Sequence, residues 1–230
     1  MAVTKRYMVP KFWTIERKVS KYVVSPKPGP HSKMKCIPLG VILRDVLKLA
    51  STMKEANEIL GKGFVKINGI LRKEYNFPVG MMDVVDLDGD VYRVLPGKNG
   101  LYLHKTDSKD AAIRLAKIVN KTHVKEKKLQ VNFHDGFNML SAKDNFMTSD
   151  VAVIDVASKE IKQILKFDKG SFAIVTDGHN AGLCGVIDSI DAKLRTVVIE
   201  SNGQKFLVPK RYVFVVGHGT SASINLKNGE

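Results

Sequence analysis

The chain has 230 residues, 44% of them hydrophobic, and a formal net charge of +14 from 37 basic and 23 acidic side chains. The hydrophobic share suffices for one large core or two to three small ones and excludes wholesale disorder. The charge draws the chain to polyanions. No apolar run of about 18 residues, signal-peptide pattern or lipidation signal is visible, so nucleic acid is favoured over a membrane as the partner.

Residues 1–40 hold nine basic side chains (Lys5, Arg6, Lys11, Arg17, Lys18, Lys21, Lys27, Lys33 and Lys35) against the single acid Glu16, a local excess of +8. Pro26, Pro28 and Pro30 forbid a helix there and predict an extended, solvated path that orders on binding. Tyr7, Phe12, Trp13 and Tyr22 lie among these charges. Basic groups contact phosphates, and aromatic rings stack on bases or pack into RNA grooves. The arm therefore reads as an RNA-binding tail; the alternative is a solubilising tail with its one Trp docked on its own core.

Pro38 stands at the first position of a predicted helix, in which Leu39, Ile42, Leu43, Val46, Leu47 and Ala50 recur at helical spacing. Thr52 followed by Glu55 is a capping box that opens a second short helix through Ala56, Ile59 and Leu60, closed by Gly61 and Gly63. Asn68-Gly69 between Phe64–Ile67 and Ile70–Arg72 predicts a β-hairpin. The result is a small α+β unit offering Arg44 and Lys48 on a helix face, Lys62 and Lys66 nearby, and Arg72 at the end of the hairpin.

From Pro78 the pattern turns to strands: Met82–Leu87, Val91–Leu95 and Leu101–His104. A helix is predicted from Asp107 or Ser108 through Ile118-Val119, ending in the basic cluster Lys121, Lys125, Lys127 and Lys128; residues 98–128 carry +6. Residues 129–170 alternate again. After Asp168-Lys169-Gly170 come five short strands at regular spacing (Phe172–Val175, Val186–Ile190, Val197–Ile199, Phe206–Val208 and Val213–Val216), which suggest a small barrel.

The glycine-rich stretch Gly178–Gly185 is no nucleotide loop: no Gly-Lys-Ser/Thr follows, and a strand comes after it where a helix would be needed. Its glycines suit a tight turn or close approach to a partner. His134-Asp135-Gly136 reads as a hydrogen-bonded turn, since neighbours in sequence do not build a triad and no nucleophile elbow accompanies them. The six histidines and two cysteines show no metal-ligand spacing, and Cys36 and Cys184 read as buried or incidental thiols. Neither a catalytic site, a metal site nor a cofactor is expected.

Eight stretches in order resemble one family: Pro10–Trp13, Gly29-Pro30-His31, Pro38-Leu39 with Leu43-Arg44, Phe64–Gly69, Pro78–Val84, His134-Asp135, Phe167–Gly170, and the glycine loop with Val213–Gly219. Over nearly its whole length the chain is similar to the archaeal and eukaryotic small-subunit ribosomal protein family S-four of the "e" type. The resemblance implies an α+β multidomain chain: a basic arm (1–37), an S-four-type RNA-binding domain (38–97), a β-rich central domain with one helix (98–170), a KOW-type SH3-like barrel (171–218) and a tail (219–230). It implies a structural, cytoplasmic component of the small subunit, with ribosomal RNA and neighbouring ribosomal proteins as partners and no homo-oligomer. The expected RNA contacts are the nine basic arm residues with Trp13 and His31, then Arg44, Lys48, Lys62, Lys66, Arg72, Lys121, Lys125, Lys127 and Lys128. Gly178, Asn180, Gly182 and Gly185 form the KOW loop. Asp177-Gly178 and Leu183 depart from the family's paired glycines and following base, which weakens a phosphate contact there, and the short tail looks archaeal. Two rivals stand beside this reading. An RNA-modifying enzyme, such as a pseudouridine synthase, needs a catalytic Asp in a sizeable separate domain, and the sequence after residue 95 is accounted for without one. A polymerase-binding KOW transcription factor does not need so basic an arm.

Overall fold

The structure is a computed structural model describing residues 3–124, 128–141, 145–191, 193–219 and 221–222. It is mostly β, in several sheets with few helices, and divides into two compact units: Met1–Leu95 with Leu101–Ala111, and Pro96–Gly100 with Ala112–Glu230.

In the first unit, strands β1 (Val3–Lys5) and β2 (Tyr22–Val24) pair antiparallel within the basic N-terminal segment. Between and around them Val9, Trp13, Ile15 and Val23 are buried in the same core as the rest of the unit. This corrects the expected solvated arm. The prolines do exclude a helix, but the apolar residues scattered among the lysines gain more from burial than the extended chain gains from hydration. Strand β3 (Cys36–Pro38) pairs with β6 (Pro78–Gly80), Pro38 opposite Pro78. Pro38 therefore ends a strand and caps the following helix instead of being its first residue.

That helix is also shorter than its apolar spacing predicts. One α turn, α1 (Leu39–Val41), passes into a π turn over Ile42–Val46, and Lys48 takes a left-handed φ of 54°. Helix α2 (Met53–Lys62) starts as expected: Thr52 Oγ1 accepts from the Glu55 N–H at 3.2 Å, and the Glu55 carboxylate accepts from the Ser51 N–H at 2.8 Å. Gly61 lies inside α2, and Gly63 alone, at φ 82°, terminates it. Strands β4 (Val65–Ile67) and β5 (Ile70–Leu71) form the hairpin, with Asn68 and Gly69 both at positive φ as a type I′ turn demands. With β7 (Val84–Leu87), β8 (Asp90–Gly97) and β9 (Gly100–Lys105) they make a five-stranded sheet in the order β5-β4-β7-β8-β9. Buried within it, Arg93 on β8 donates from Nη2 to the Asp110 carbonyl at 2.6 Å, and burial lowers its guanidinium to about 10 against the opposing pull of Asp110 and Asp83.

The predicted helix over 107–119 is overturned. Only α3 (Ser108–Ala111) is helical, and β10 (Ile113–His123) follows as an eleven-residue strand. Ile113, Ile118, Val119 and Thr122 are β-branched, and β10 is the centre of a sheet in the order β12-β11-β10-β13-β14, so ladders on both sides override the helical spacing. Its partners are β11 (Leu129–Phe133), β12 (Asn138–Ser141), β13 (Val151–Asp155) and β14 (Ile161–Leu165). The core here is Ala116, Ile118, Leu129, Val131, Phe133, Phe146, Ala152 and Ile154. A second sheet follows, of β15 (Ser171–Val175), β16 (Cys184–Asp191), β17 (Thr196–Ser201), β18 (Gln204–Pro209), β19 (Val213–His218) and β20 (Ser221–Ala222), in the order β18-β17-β16-β15-β19-β20. The two sheets are joined within the unit by Lys117, whose Nζ donates to the Val213 carbonyl at 2.6 Å and the Arg211 carbonyl at 3.3 Å, and by an edge-on contact of His134 with Phe214.

Candidate nucleic-acid interface

The first unit turns a basic segment into a presented surface by anchoring what lies beneath it. Trp13 is 2% exposed, and its Nε1 donates to the Cys36 carbonyl at 2.8 Å. It therefore faces protein, which removes it from the expected RNA contacts. Arg6 is likewise buried, donating to the carbonyls of Glu16 and Tyr22. Arg17 is exposed and donates to the carbonyls of Tyr7 and Pro10, each at 3.4 Å. Around these anchors Lys5, Lys11, Lys18, Lys21, Lys33 and Lys35 are exposed, while Lys27 pairs with Glu74 at 3.0 Å.

His31, also among the expected contacts, is buried and serves the fold. Its Nε2 lies 2.9 Å from Asp83 Oδ2, which also accepts from the Gly80 N–H at 2.8 Å. Asp83 Oδ1 accepts from Asn68 Nδ2 at 2.7 Å, and Asn68 Oδ1 accepts from the Val84 N–H at 2.9 Å. Burial pushes the Asp83 carboxyl up, but the His31 hydrogen bond and charge, with the Gly80 and Asn68 donors, outweigh it and hold the group below its ordinary value. The imidazole packs so closely on Gly80 that any Cβ there would collide with it. One carboxylate thus ties the end of the N-terminal segment to the hairpin turn and to the β6–β7 corner. Sequence reading missed Asp83, although His31, Asn68 and Asp83 all stand in the motifs it quoted.

On the rest of the unit, Lys48, Lys62 and Lys66 are exposed as expected. Arg44 is half-buried and bonded to Asp45 at 2.8 Å, and Arg72 lies over the Phe77 ring at 4.4 Å. In the second unit, Lys121 donates to the Phe146 carbonyl at 2.8 Å from β10, so it is not at a helix end. Lys128 is exposed; Lys125 and Lys127 lie outside the described residues.

The glycine loop connects β15 to β16. Gly178 and Gly182 have φ of 94° and 84°. A Cβ on Gly182 would stand 2.9 Å from the Gly97 Cα, and one on Gly185 would strike the Glu200 carbonyl. The Asn180 carbonyl accepts from the Leu183 N–H at 3.1 Å. The Asp177 carboxylate accepts from the Gly178 N–H at 2.9 Å, occupying a donor that an anion would want. His134-Asp135-Gly136 is the turn expected: the Phe137 N–H donates to Asp135 Oδ1 at 3.0 Å, and Arg114 pairs with Asp135 at 3.0 Å. Burial pushes the Cys36 thiol up to about 12 and that of Cys184 to about 11, so neither is a thiolate nucleophile. Among the described residues no group of three His, Cys, Asp or Glu could hold a metal ion, and no helix is long and apolar enough to cross a membrane.

Three sequence families match: the RS4NT domain over residues 4–34, the S4 domain over 39–85 and the ribosomal family S4e over 88–161. The small ribosomal subunit protein eS4 of Methanothermobacter thermautotrophicus is 43% identical, covering 98% of this chain and 96% of that one. That of Archaeoglobus fulgidus is 41% identical over 93% and 92%. The crystal structure of the 30S ribosomal protein S4e from Thermoplasma acidophilum superposes with a TM-score of 0.73 at 30% identity, covering 82% of this chain and 98% of that one. With likeness of this extent in both sequence and fold, the chain belongs to the ribosomal S4e family, whose members are structural proteins and not enzymes.

Proposed function

We propose that this chain is a structural constituent of the small ribosomal subunit, binding its ribosomal RNA through the basic N-terminal segment and the S4-type unit and so supporting subunit assembly and translation in the cytoplasm. The observation that carries the reading is the N-terminal segment itself: Lys5, Lys11, Lys18, Lys21, Lys33 and Lys35 are exposed in a segment whose Trp13 and Val23 are buried. Charges held on a folded base lose less conformational freedom on binding than charges on a loose tail, so more of the counterion-release energy appears as affinity. Lys48, Lys62 and Lys66 extend the contacts, phosphates position the chain, and packed RNA shape supplies selectivity. Residues 171–218 act as a KOW-type barrel whose loop contributes little phosphate binding, since Asp177 is acidic and already bonds Gly178. Neighbouring ribosomal proteins are the other partners, and no homo-oligomer is needed.

The test is a sucrose gradient of a cell extract with mass spectrometry for this chain. Stoichiometric presence in small subunits after a moderate salt wash is the expected result. Recovery near the top of the gradient, or with RNA polymerase, would overturn the proposal.

A further inference from the structure

Four aromatic residues lie among the arm's charges, and the fold separates them into two kinds. Trp13 is buried and Phe12 packs against the core, whereas Tyr7 is 66% and Tyr22 48% exposed. Lys5 neighbours both members of the exposed pair. Lys5 stands directly opposite Tyr22 in the β1–β2 ladder, so their side chains project from the same side. The Lys5 Nζ then reaches the Tyr7 ring, 5.8 Å from its centroid, and the Lys21 Nζ lies 5.5 Å from that of Tyr22. The backbone beneath each ring is held: Arg17 Nη1 donates to the Tyr7 carbonyl and Arg6 Nε to the Tyr22 carbonyl, each at 3.4 Å.

On the RNA-binding reading above, we propose that Tyr7 and Tyr22 are a stacking platform for unpaired RNA bases, with Lys5 and Lys21 closing on the flanking phosphates. Duplex RNA keeps its base faces covered and offers a basic surface only its backbone and groove edges, so exposed rings add little against it. An unpaired nucleotide presents a π face beside a phosphate, which matches a ring beside an ammonium. The rings sit where the chain is most basic, with Glu16 the lone acid in residues 1–40, and this disfavours a basic protein neighbour as occupant. The N-terminal segment therefore engages a single-stranded loop, bulge or junction and not only helix backbone.

The test uses the full chain, a single-stranded RNA 12-mer containing 2-aminopurine, a 20-base-pair RNA duplex and purified small-subunit ribosomal RNA. The Tyr7→Ala/Tyr22→Ala variant should bind the 12-mer at least about 5-fold more weakly than wild type, stacking being worth on the order of 1–3 kcal/mol per base. It should lose the quenching of 2-aminopurine yet keep the salt slope, because stacking releases no counterions. Lys5→Gln/Lys21→Gln should instead flatten that slope by about 1.4, at roughly 0.7 per single-strand phosphate contact. Tyr7→Phe/Tyr22→Phe should behave as wild type. Trp13, the only tryptophan, reports by its emission whether each variant is folded. In wild type, independently of any variant, the bound 12-mer should protect both tyrosines from nitration. Binding of the 12-mer by the folded alanine variant at wild-type affinity, or nitration unaffected by RNA, overturns the platform while leaving ribosomal RNA binding intact. Wild type that binds none of the three RNAs overturns the RNA-binding reading and the platform with it.

Discussion

Residues 1–40 and 98–128 carry comparable positive charge, +8 and +6, yet the fold uses it in opposite ways. In the first, Arg6 and the apolar residues Val9, Trp13, Ile15 and Val23 go inward and the lysines are left at the surface. In the second, several basic groups are committed to the fold. Lys105 pairs with Asp90 at 2.7 Å, Arg114 with Asp135, and Lys117 and Lys121 donate to backbone carbonyls. The comparison teaches that a charge count marks a candidate interface only when something else in the sequence can supply the core. In the N-terminal segment that core is Val9, Trp13, Ile15 and Val23; on β10 the lysines themselves close hydrogen bonds between elements.

The sharpest way to break this comparison is to remove the anchor. Asp83→Ala leaves His31, Asn68 and the Gly80 N–H without their shared acceptor and should cost about 3–5 kcal/mol in urea unfolding. The same clip sets an acid limit. The Asp83 carboxyl is held below its ordinary value, so its contribution is complete above about pH 4 and is lost as the pH falls through the lower folded value. Unfolding free energies that fall equally below pH 4 in wild type and Asp83→Asn would contradict that assignment.

Charge removal tests the contrast itself. Changing Lys5, Lys18 and Lys21 together to Gln should lower the slope of log affinity for small-subunit ribosomal RNA against log salt by about 2 to 3. Changing Lys105, Lys117 and Lys121 should leave that slope unchanged and reduce thermal stability instead. Equal slopes for the two triples would erase the distinction. A finer probe is Lys117, which burial, aided by the Lys210 charge, lowers to about 8. The folded chain then sheds a proton that the unfolded chain keeps up to the ordinary lysine range, so stability should rise between about pH 8 and 10. Lys117→Met should abolish that rise. The smallest effect is expected at Gly61, inside α2 with open space where a Cβ would go. Gly61→Ala should stabilise by about 0.5–1 kcal/mol without changing RNA affinity.

Local signals were legible wherever the chemistry was local. Thr52 with Glu55, Asn68-Gly69 and the five strands after Gly170 all formed where spacing and turn residues placed them. The helix predicted over 107–119 misled because its apolar spacing is compatible with either period. Over 107–119 the outcome depended on partners in β11 and β13, tens of residues away. Over 38–50 a π turn and the left-handed Lys48 shortened the helix, and no residue there announces either. Within the site, exposed lysines could be named from charge alone. Which aromatic faced inward could not, because the partner that holds Trp13, the Cys36 carbonyl on β3, lies 23 residues away. His31 was singled out, but its partner Asp83 is 52 residues away in sequence, a relation that composition does not carry.

That separation has a consequence for the order of synthesis. The N-terminal segment is made first, yet the groups that fix it (Val79, Gly80, Asp83, Val94) come some 45 to 60 residues later. At translation rates of 5–20 residues per second the segment waits roughly 2 to 12 seconds before its core can close. During that interval it is a flexible polycation beside the most concentrated polyanion in the cell, the ribosome making it. Closure of the Asp83 clip, possible only once residues 68–83 have been made, is then what ties the nascent segment to the folded unit.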